Sequence, residues 1–175
     1  MRHGLDCIVA SVKRATLVLS LLVVALAAAR PARGQETIYI VRHAERADQS
    51  TDPPLSTAGV DRSHRLKDML RAAGVTHIFT TNLKRTIETA KPLADALGLA
   101  PQPLAGPDVG PLAARLAALG PHDRALVVGH SNTVPDLLRA LKVATPIAIA
   151  DAEYDNLFIV VPQNDAAPLL LRLKF

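Results

Sequence analysis

Three features of the sequence predict an α/β fold, a three-layer sandwich in which helices cover both faces of a mostly parallel, open sheet. Short apolar runs of strand length alternate along the chain with segments whose apolar residues recur at helical spacing. Several of these runs are apolar at every position, which is typical of strands buried on both faces. After residue 34 the sequence has neither an internal repeat nor a linker long enough to separate two domains. This alternation indicates a single open sheet with helices on both sides.

The first 34 residues are predicted to be a signal peptide. Basic residues precede an uninterrupted small and apolar run, Ala15–Ala29, which is shorter than the about 20 residues that a membrane-spanning helix needs. Small residues allow cleavage after Ala29 or after Gly34, and the alternative is a retained N-terminal anchor. We therefore expect a leader over 1–34, a mature domain over 35–175, and a periplasmic or secreted protein with no membrane span after cleavage.

Charge and cysteine content narrow the function classes. Residues 1–34 hold five of the 20 Lys and Arg residues but one of the 16 Asp and Glu residues, so the remainder is balanced at 15 of each. The high pI belongs to the leader, and no basic stripe with interleaved aromatic residues indicates a nucleic-acid partner. The single cysteine, Cys7, precedes the apolar run, so the mature domain has no thiol for a disulfide, a nucleophile or a metal site. We expect a domain held by its hydrophobic core that takes a small anionic ligand.

The predicted elements follow in chain order. Strand-length apolar runs occur at Ile38–Val41, Ile78–Thr80, Ala125–Val128, Leu157–Val161 and Leu169–Leu173. Helical spacing of apolar residues marks the segments 66–73, 87–97, 112–119 and 134–141, and the first three are followed by glycines. Pro111 is a favourable first residue for the third helix. Pro92 lies inside the second helical pattern and predicts a kink there or a split into two helices.

Functional side chains are expected directly after strands, because ligands of open α/β sheets bind beyond the carboxyl ends of the strands. Three strand ends match this expectation, and they carry Arg42-His43-Ala44-Glu45, Thr80–Thr86 and Gly129-His130-Ser131. Each fragment alone has an ordinary structural explanation, such as a pair between Arg85 and Glu88 along one helix. Their coincidence at one sheet edge predicts a single site with two arginines and two histidines.

This set of residues suits phosphoryl transfer. Guanidinium groups bind phosphate oxygens bidentately, and such charge-assisted hydrogen bonds are about twice as strong as neutral ones. A neutral imidazole between them can attack phosphorus and form a phosphohistidine, and the arginine charges should disfavour its protonation. A metal hydrolase built on His43, Glu45, His130 and an aspartate is the rival enzyme. The sequence offers no helix-borne pair of ligands for it, and two arginines would repel a cation.

The motifs resemble those of the histidine phosphatase superfamily, the phosphoglycerate-mutase-like phosphatases of branch 1. Val41-Arg42-His43-Ala44-Glu45 is similar to the Arg-His-Gly signature of the family, and Val128-Gly129-His130-Ser131 is similar to its second-histidine motif. Leu55–Arg62 resembles the segment that opens the first helix, and Thr81–Ala90 resembles the second-arginine motif. The motifs occur in the family's order, so the resemblance implies a phosphoglycerate-mutase-like fold.

The resemblance also implies the role of each site residue. His43 would be the nucleophile, Arg42 and Arg85 would clamp the phosphate, and His130 would stabilise the transferring group. Ser131, beside His130, is expected to contact the substrate. The reaction would need neither a metal nor an organic cofactor.

The general acid is the one part of the site that the sequence leaves open. Members of this branch usually place an acidic proton donor between the second arginine and the second histidine, but residues 104–108 read Leu-Ala-Gly-Pro-Asp without a glutamate. Asp108 is the candidate acid, with Glu45 second and also a candidate substrate contact. The alternative for Asp108 is a turn residue ahead of the third helix. If neither acid serves, we expect substrates with good leaving groups.

Together these features predict a metal-independent phosphomonoesterase with a small phosphorylated substrate. Hydrolysis is favoured over a mutase reaction because the mature chain leaves little room for an insert that would enclose an intermediate. The alternative is a module of the same fold that binds phosphate without turning it over. The segment Glu153–Asn156 is either a turn that enters the next strand or a rim element that influences substrate choice.

Overall fold

The computed structural model describes residues 36–104, 108–163 and 166–175, so the predicted leader over 1–34 lies outside the described residues. These described residues form six strands: β1 Thr37–Arg42, β2 His77–Thr81, β3 Gln102–Leu104, β4 Arg124–Gly129, β5 Asn156–Val161 and β6 Leu169–Lys174. They form one sheet in the order β3-β2-β4-β1-β5-β6. The first four strands are mutually parallel, whereas β5 runs antiparallel to β1 and β6 runs antiparallel to β5. The sheet is therefore mostly parallel, as predicted.

Within the described residues, four helices cover the two faces of this sheet: α1 Thr57–Leu70, α2 Lys84–Leu97, α3 Gly110–Ala117 and α4 Thr133–Ala140. One buried cluster joins the sheet to Leu66 and Leu70 of α1 and to several residues of α2. The other cluster joins the opposite face to Leu116 of α3 and to Leu137 of α4. The three-layer α/β sandwich is confirmed.

The central strands β1, β4 and β5 are apolar at nearly every position because both of their faces are largely buried. Along β4, Ala125 and Val127 belong to the α3–α4 cluster, whereas Leu126 and Val128 belong to the α1–α2 cluster. Alternate side chains of a strand point to opposite faces, so a strand covered on both sides needs apolar residues throughout.

The prediction that Pro92 splits the second helix is wrong. Pro92 lies inside α2, which is continuous from Lys84 to Leu97. Ala90, Leu93 and Ala94 are buried on both sides of it, so packing against the sheet holds the helix together despite the lost backbone hydrogen bond.

The short strand β3 was not predicted. Its sequence, Gln-Pro-Leu, has no apolar run, and it becomes a strand by pairing with Phe79–Thr81 of β2. Proline is tolerated there because β3 is an edge strand.

The topology brings the carboxyl ends of β1, β2 and β4 to one edge of the sheet. Arg42, the last residue of β1, pairs with Gly129, the last residue of β4. The ladder continues one step further, since the His43 amide donates to the carbonyl oxygen of Gly129 at 2.9 Å. The loops that carry the predicted site residues therefore start side by side. Within the described ranges, no helix combines the length and the apolar character that crossing a membrane requires.

Candidate active site

His43 lines a cleft of about 530 Å³ at this edge of the sheet and is only 4% exposed. Its Nδ1 lies 2.8 Å from the carbonyl oxygen of Ala44. A carbonyl oxygen only accepts hydrogen bonds, so Nδ1 carries the ring proton and Nε2 keeps its lone pair. The Ala44 amide in turn donates to Oγ1 of Thr89 on α2 at 2.9 Å, which holds the backbone behind the imidazole. Nε2 is thus the atom available for attack.

Both imidazoles of the site are neutral at pH 7. Burial is the main reason that the pKa of His43 is lowered to about 3, and the neighbouring His130, Arg42 and Arg85 lower it further, against the hydrogen bond to Ala44. Burial and then the charges of Arg85 and Arg42 lower the pKa of His130 to about 4. The arginines act in the expected direction, but burial contributes more.

His130 follows β4 and faces His43 across the cleft. The two ring centroids are 5.3 Å apart, and the ring planes are inclined by 62°. The Nε2 atom of His130 lies 3.2 Å from Oγ1 of Thr81, at the end of β2, and its backbone amide donates to Oγ1 of Thr133 at 2.9 Å. The ends of two strands and the start of α4 therefore set the orientation of the second histidine. Ser131 also lines the cleft, as expected.

Arg42 is 5% exposed, and its guanidinium group is held from one side. Its NH1 donates to the carbonyl oxygens of Ala150, Asp151 and Glu153, which precede β5. Its Nε is buried and has no hydrogen-bond partner among the described residues. Buried N–H groups are almost always paired in proteins, so this one indicates a place for an acceptor from a ligand.

Arg85 occupies the first turn of α2 and does not pair with Glu88. The Glu88 carboxylate instead accepts from the Leu55 amide at 2.8 Å. Within the described part of the chain, Nε and NH1 of Arg85 are buried without a hydrogen-bond partner. Burial and then the nearby charge of Arg46 lower the pKa of Arg85, while Asp52 acts in the opposite direction. The cleft therefore presents a second guanidinium group that lacks an anionic partner.

Glu45 is not brought into the cleft. Its carboxylate accepts from Nε and NH2 of Arg62 on α1, at distances of 2.6 to 2.9 Å. Burial alone would raise the pKa of Glu45, but the hydrogen bonds and the charge of Arg62 outweigh it and lower the pKa. An ionised carboxylate that is bound to an arginine has no proton to donate, and it anchors α1 instead.

Asp108 does not line this cleft; it lines an adjacent pocket that shares Thr81, Leu104 and Thr133 with the cleft. It is exposed, and its Oδ1 accepts from the Gly110 amide at 2.8 Å, ahead of α3. This contact is the one expected of a turn residue before a helix. The acidic residue that the structure does place on the cleft wall is Asp151, whose backbone carbonyl is bound by Arg42.

The cleft-wall residues that escaped sequence reasoning include Arg46, Asn82 and Asp151. Arg46 lies in the same loop as His43 and Asn82 lies in the second-arginine motif, so their positions after strands were a usable signal. Asp151 comes from a loop about a hundred residues further along the chain, and no local pattern announces it. No group of three or more His, Cys, Asp or Glu side chains in the described ranges is arranged to hold a metal ion.

Comparison with known proteins agrees with this fold. The family model described as histidine phosphatase superfamily (branch 1) matches residues 38–106. Curated relatives include "Probable phosphoglycerate mutase GpmB" of Yersinia pestis (strain Pestoides F), which is 39% identical over 69 residues, 35% of this chain and 32% of the relative. The chain thus spans about a third of the length of the curated relatives that it matches.

Solved structures extend the likeness in fold over most of the chain. The protein histidine phosphatase SixA complexed with tungstate matches with a TM-score of 0.67 and 22% identity, over 79% of this chain and 96% of that chain. A mycobacterial glucosyl-3-phosphoglycerate phosphatase matches with a TM-score of 0.60 and 14% identity, over 79% and 97%. Residues 38–106 therefore match the histidine phosphatase superfamily, branch 1, in sequence, and most of the chain is similar to these solved structures in fold.

Proposed function

We propose that this protein is a phosphatase that cleaves small phosphomonoesters through a phosphohistidine at His43 and needs no metal. One observation carries the proposal: buried guanidinium N–H groups of Arg42 and Arg85 have no hydrogen-bond partner among the described residues, and they lie beside two imidazoles that are neutral at pH 7. Leaving buried donors unpaired costs free energy, and a phosphoryl group supplies the acceptors they lack. The neutral Nε2 of His43 supplies the nucleophile at the same place.

The reaction proceeds in two displacements at phosphorus. Arg42 and Arg85 bind the phosphoryl oxygens, Nε2 of His43 forms the new N–P bond, and the P–O bond to the leaving group breaks as that oxygen takes up a proton. The Ala44 carbonyl, which accepts from Nδ1, stabilises the positive charge that develops on the ring. Water then attacks phosphorus, the N–P bond breaks, and phosphate leaves. The arginines hold the charge of the equatorial oxygens in both steps.

The proton for the leaving group has two candidate sources. Asp108 remains the candidate from the sequence, although it is exposed and bound to the Gly110 amide. Asp151 is the acidic residue among the described ones on the cleft wall. Because Asp151 is exposed to solvent, we expect good leaving groups to react faster than simple alkyl phosphates.

Because the acid on the described cleft wall is exposed, phosphohistidine is a second candidate substrate. An imidazole leaves phosphorus readily when its other nitrogen is protonated from solvent, so the cleft would not need a strong acid. The fold is similar to that of a protein named a protein histidine phosphatase. The alternative to both is a module of the same fold that binds phosphate without turnover. The absence of a buried acid from the described cleft wall favours that alternative more than any other feature does.

The deciding experiment is hydrolysis of p-nitrophenyl phosphate by the purified protein with and without EDTA, beside the His43→Ala variant. We expect turnover that resists EDTA and falls below a few per cent of wild type in His43→Ala. His64→Ala, which changes an exposed histidine on α1, is the matched control and should retain full activity. Turnover that EDTA abolishes would favour the metal hydrolase. Absence of turnover with phosphate still raising the unfolding temperature would favour the binding module.

We also propose that the protein is exported to the periplasm or beyond, as its leader sequence predicts. N-terminal sequencing of the protein recovered from outside the cytoplasm should begin at Arg30 or Gln35. A protein that retains Met1 and stays with the membrane would identify residues 1–34 as an anchor.

A further inference from the structure

The loop that precedes β5 contacts the guanidinium group of Arg42 both at one edge and on one face. NH1 of Arg42 donates to three backbone carbonyls, those of Ala150 at 3.0 Å, Asp151 at 2.9 Å and Glu153 at 3.1 Å. The central carbon of the same guanidinium lies 4.1 Å from the ring centroid of Tyr154. This is the distance of a cation–π contact, in which the negative face of the ring attracts the cation.

These contacts determine which part of the guanidinium remains for a ligand. NH1 is committed to the loop, whereas Nε is buried and has no partner among the described residues. A guanidinium binds an oxyanion through two adjacent N–H groups, so the edge that contains Nε is the one left for phosphate. The ring of Tyr154 also lies near the nucleophile, with its centroid 6.0 Å from that of His43. Tyr154 thus contacts the clamp while standing beside the reacting group.

The direction of Tyr154 follows from its two acidic neighbours. The Glu153 carboxylate accepts from the Ala150 amide at 2.9 Å and pairs with Arg172 and Lys174 of β6. Asp155 pairs with the same Lys174 at 2.6 Å. The side chains on either side of Tyr154 are thus tied to β6, whereas the Tyr154 ring lies against Arg42.

We propose that Tyr154 is a positioning residue of this site, whose aromatic face sets the orientation in which Arg42 meets the oxyanion. This rests on the proposed function, since it assigns to Tyr154 a role in phosphoryl binding. Arg42 has a long side chain, and without the ring its guanidinium loses the contact that fixes its plane while NH1 keeps its carbonyls. Small displacements of a group that positions the substrate lower the reaction rate strongly. The aromatic face, and not the hydroxyl, carries the effect.

Two substitutions of the full-length protein test this, with tungstate as the oxyanion probe in calorimetry and p-nitrophenyl phosphate as the substrate. Tyr154→Phe keeps the ring and should bind tungstate within about twofold of wild type. Tyr154→Leu should bind it about tenfold more weakly, which corresponds to about 1.4 kcal/mol. It should lower kcat/KM by at least the same factor. Tyr39→Leu, which changes the only other tyrosine of the chain, is the matched control and should leave tungstate binding unchanged.

A third variant separates electrostatics from shape and stays informative if Tyr154→Leu does not fold. Pentafluorophenylalanine at position 154 keeps the size of the ring but removes its negative face. It should bind tungstate more weakly than Tyr154→Phe at an unchanged unfolding temperature. In an Arg42→Gln background, Tyr154→Leu should have no additional effect, because the tyrosine acts through the arginine.

Each of these measurements can overturn the proposal. Tungstate binding by Tyr154→Leu within twofold of wild type, or equal losses in the leucine and phenylalanine variants, would do so. Equal binding by the fluorinated and unfluorinated rings would remove the aromatic face as the cause. A wild-type protein that binds tungstate without turnover would refute the phosphatase but leave the calorimetric test of Tyr154 intact. A wild-type protein that does not bind tungstate would refute both.

Discussion

The low pKa of His43 makes the stability of the fold depend on pH in a defined window. The pKa of this histidine is lowered from 6.5 to about 3, chiefly by burial and further by the charges around it. Above pH 6.5 the ring is neutral in both the folded and the unfolded protein, so the full stability is present. As the pH falls below 6.5, the unfolded chain takes up a proton that the folded protein refuses. Stability is then lost until the pH reaches the folded pKa.

The magnitude follows from the width of that window. One pH unit corresponds to about 1.36 kcal/mol per proton, so acidification from about pH 6.5 to about pH 5 should cost about 2 kcal/mol from His43 alone. This is a large part of the free energy of unfolding of a small domain, which is commonly about 5–15 kcal/mol. His130, whose pKa is lowered to about 4, loses stability in the same direction over the same window.

The assay is urea unfolding at several pH values between about 7.5 and 5 for wild type, His43→Ala and the control His64→Ala. The His43→Ala protein should lose about 2 kcal/mol less than wild type over this range, because the group that refuses the proton is gone. The His64→Ala protein should follow the wild type, since its side chain on α1 is exposed. Parallel curves for wild type and His43→Ala would refute the reasoning that burial keeps this imidazole neutral.

Three further predictions concern the clamp, the acid and the packing of α1. Arg85→Ala should weaken tungstate binding and kcat/KM together by about tenfold to a hundredfold, since a hydrogen bond to a charged group contributes about 1.5–3 kcal/mol. Arg65→Ala, at an exposed position of α1, is the control. An equal loss of tungstate binding and kcat/KM in this variant would contradict a specific role for Arg85. If Asp108 or Asp151 is the general acid, its replacement by Asn should slow the hydrolysis of an alkyl phosphate far more than that of p-nitrophenyl phosphate. Equal effects on both substrates would exclude that residue as the acid. Gly59→Ala should lower the free energy of unfolding by about 1–3 kcal/mol, because a Cβ there collides with the backbone carbonyl oxygen of Glu45. Gly98 has a φ of 65° but open space around it, so Gly98→Ala measures the cost of the backbone conformation alone. A smaller loss of unfolding free energy for Gly59→Ala than for Gly98→Ala would contradict the close approach of Gly59 to Glu45.

The helices and strands were largely predictable because each one is encoded by a local pattern. Runs such as Ala125–Val128 are apolar throughout since both faces of the strand are covered, and α2 ends at Gly98, whose positive φ suits glycine. The four central residues of the cleft were predictable for a related reason. Arg42 ends β1, His43 and His130 directly follow β1 and β4, and Arg85 lies in the first turn of the helix after β2. Parallel strands deliver their carboxyl ends to the same edge of the sheet.

The partners of these residues were decided by the tertiary structure alone. Nothing near Glu45 in the sequence shows that its carboxylate belongs to Arg62, so it remained a candidate acid until the packing of α1 was known. Pro92 shows the same limit, because buried neighbours in three dimensions override a local preference.

The sequence by itself predicted the class of fold, the resemblance of residues 38–106 to the histidine phosphatase superfamily, and four residues that the structure places at one cleft, Arg42, His43, Arg85 and His130. Only the tertiary structure decided what holds them, such as the Thr81 hydroxyl that lies beside Nε2 of His130 and the loop that binds one edge of Arg42. That loop lies more than a hundred residues from Arg42 along the chain. The physical reason is that periodicity and turn signals act over a few neighbouring residues, whereas the orientation and charge state of a buried side chain depend on groups that only folding brings within a few ångströms.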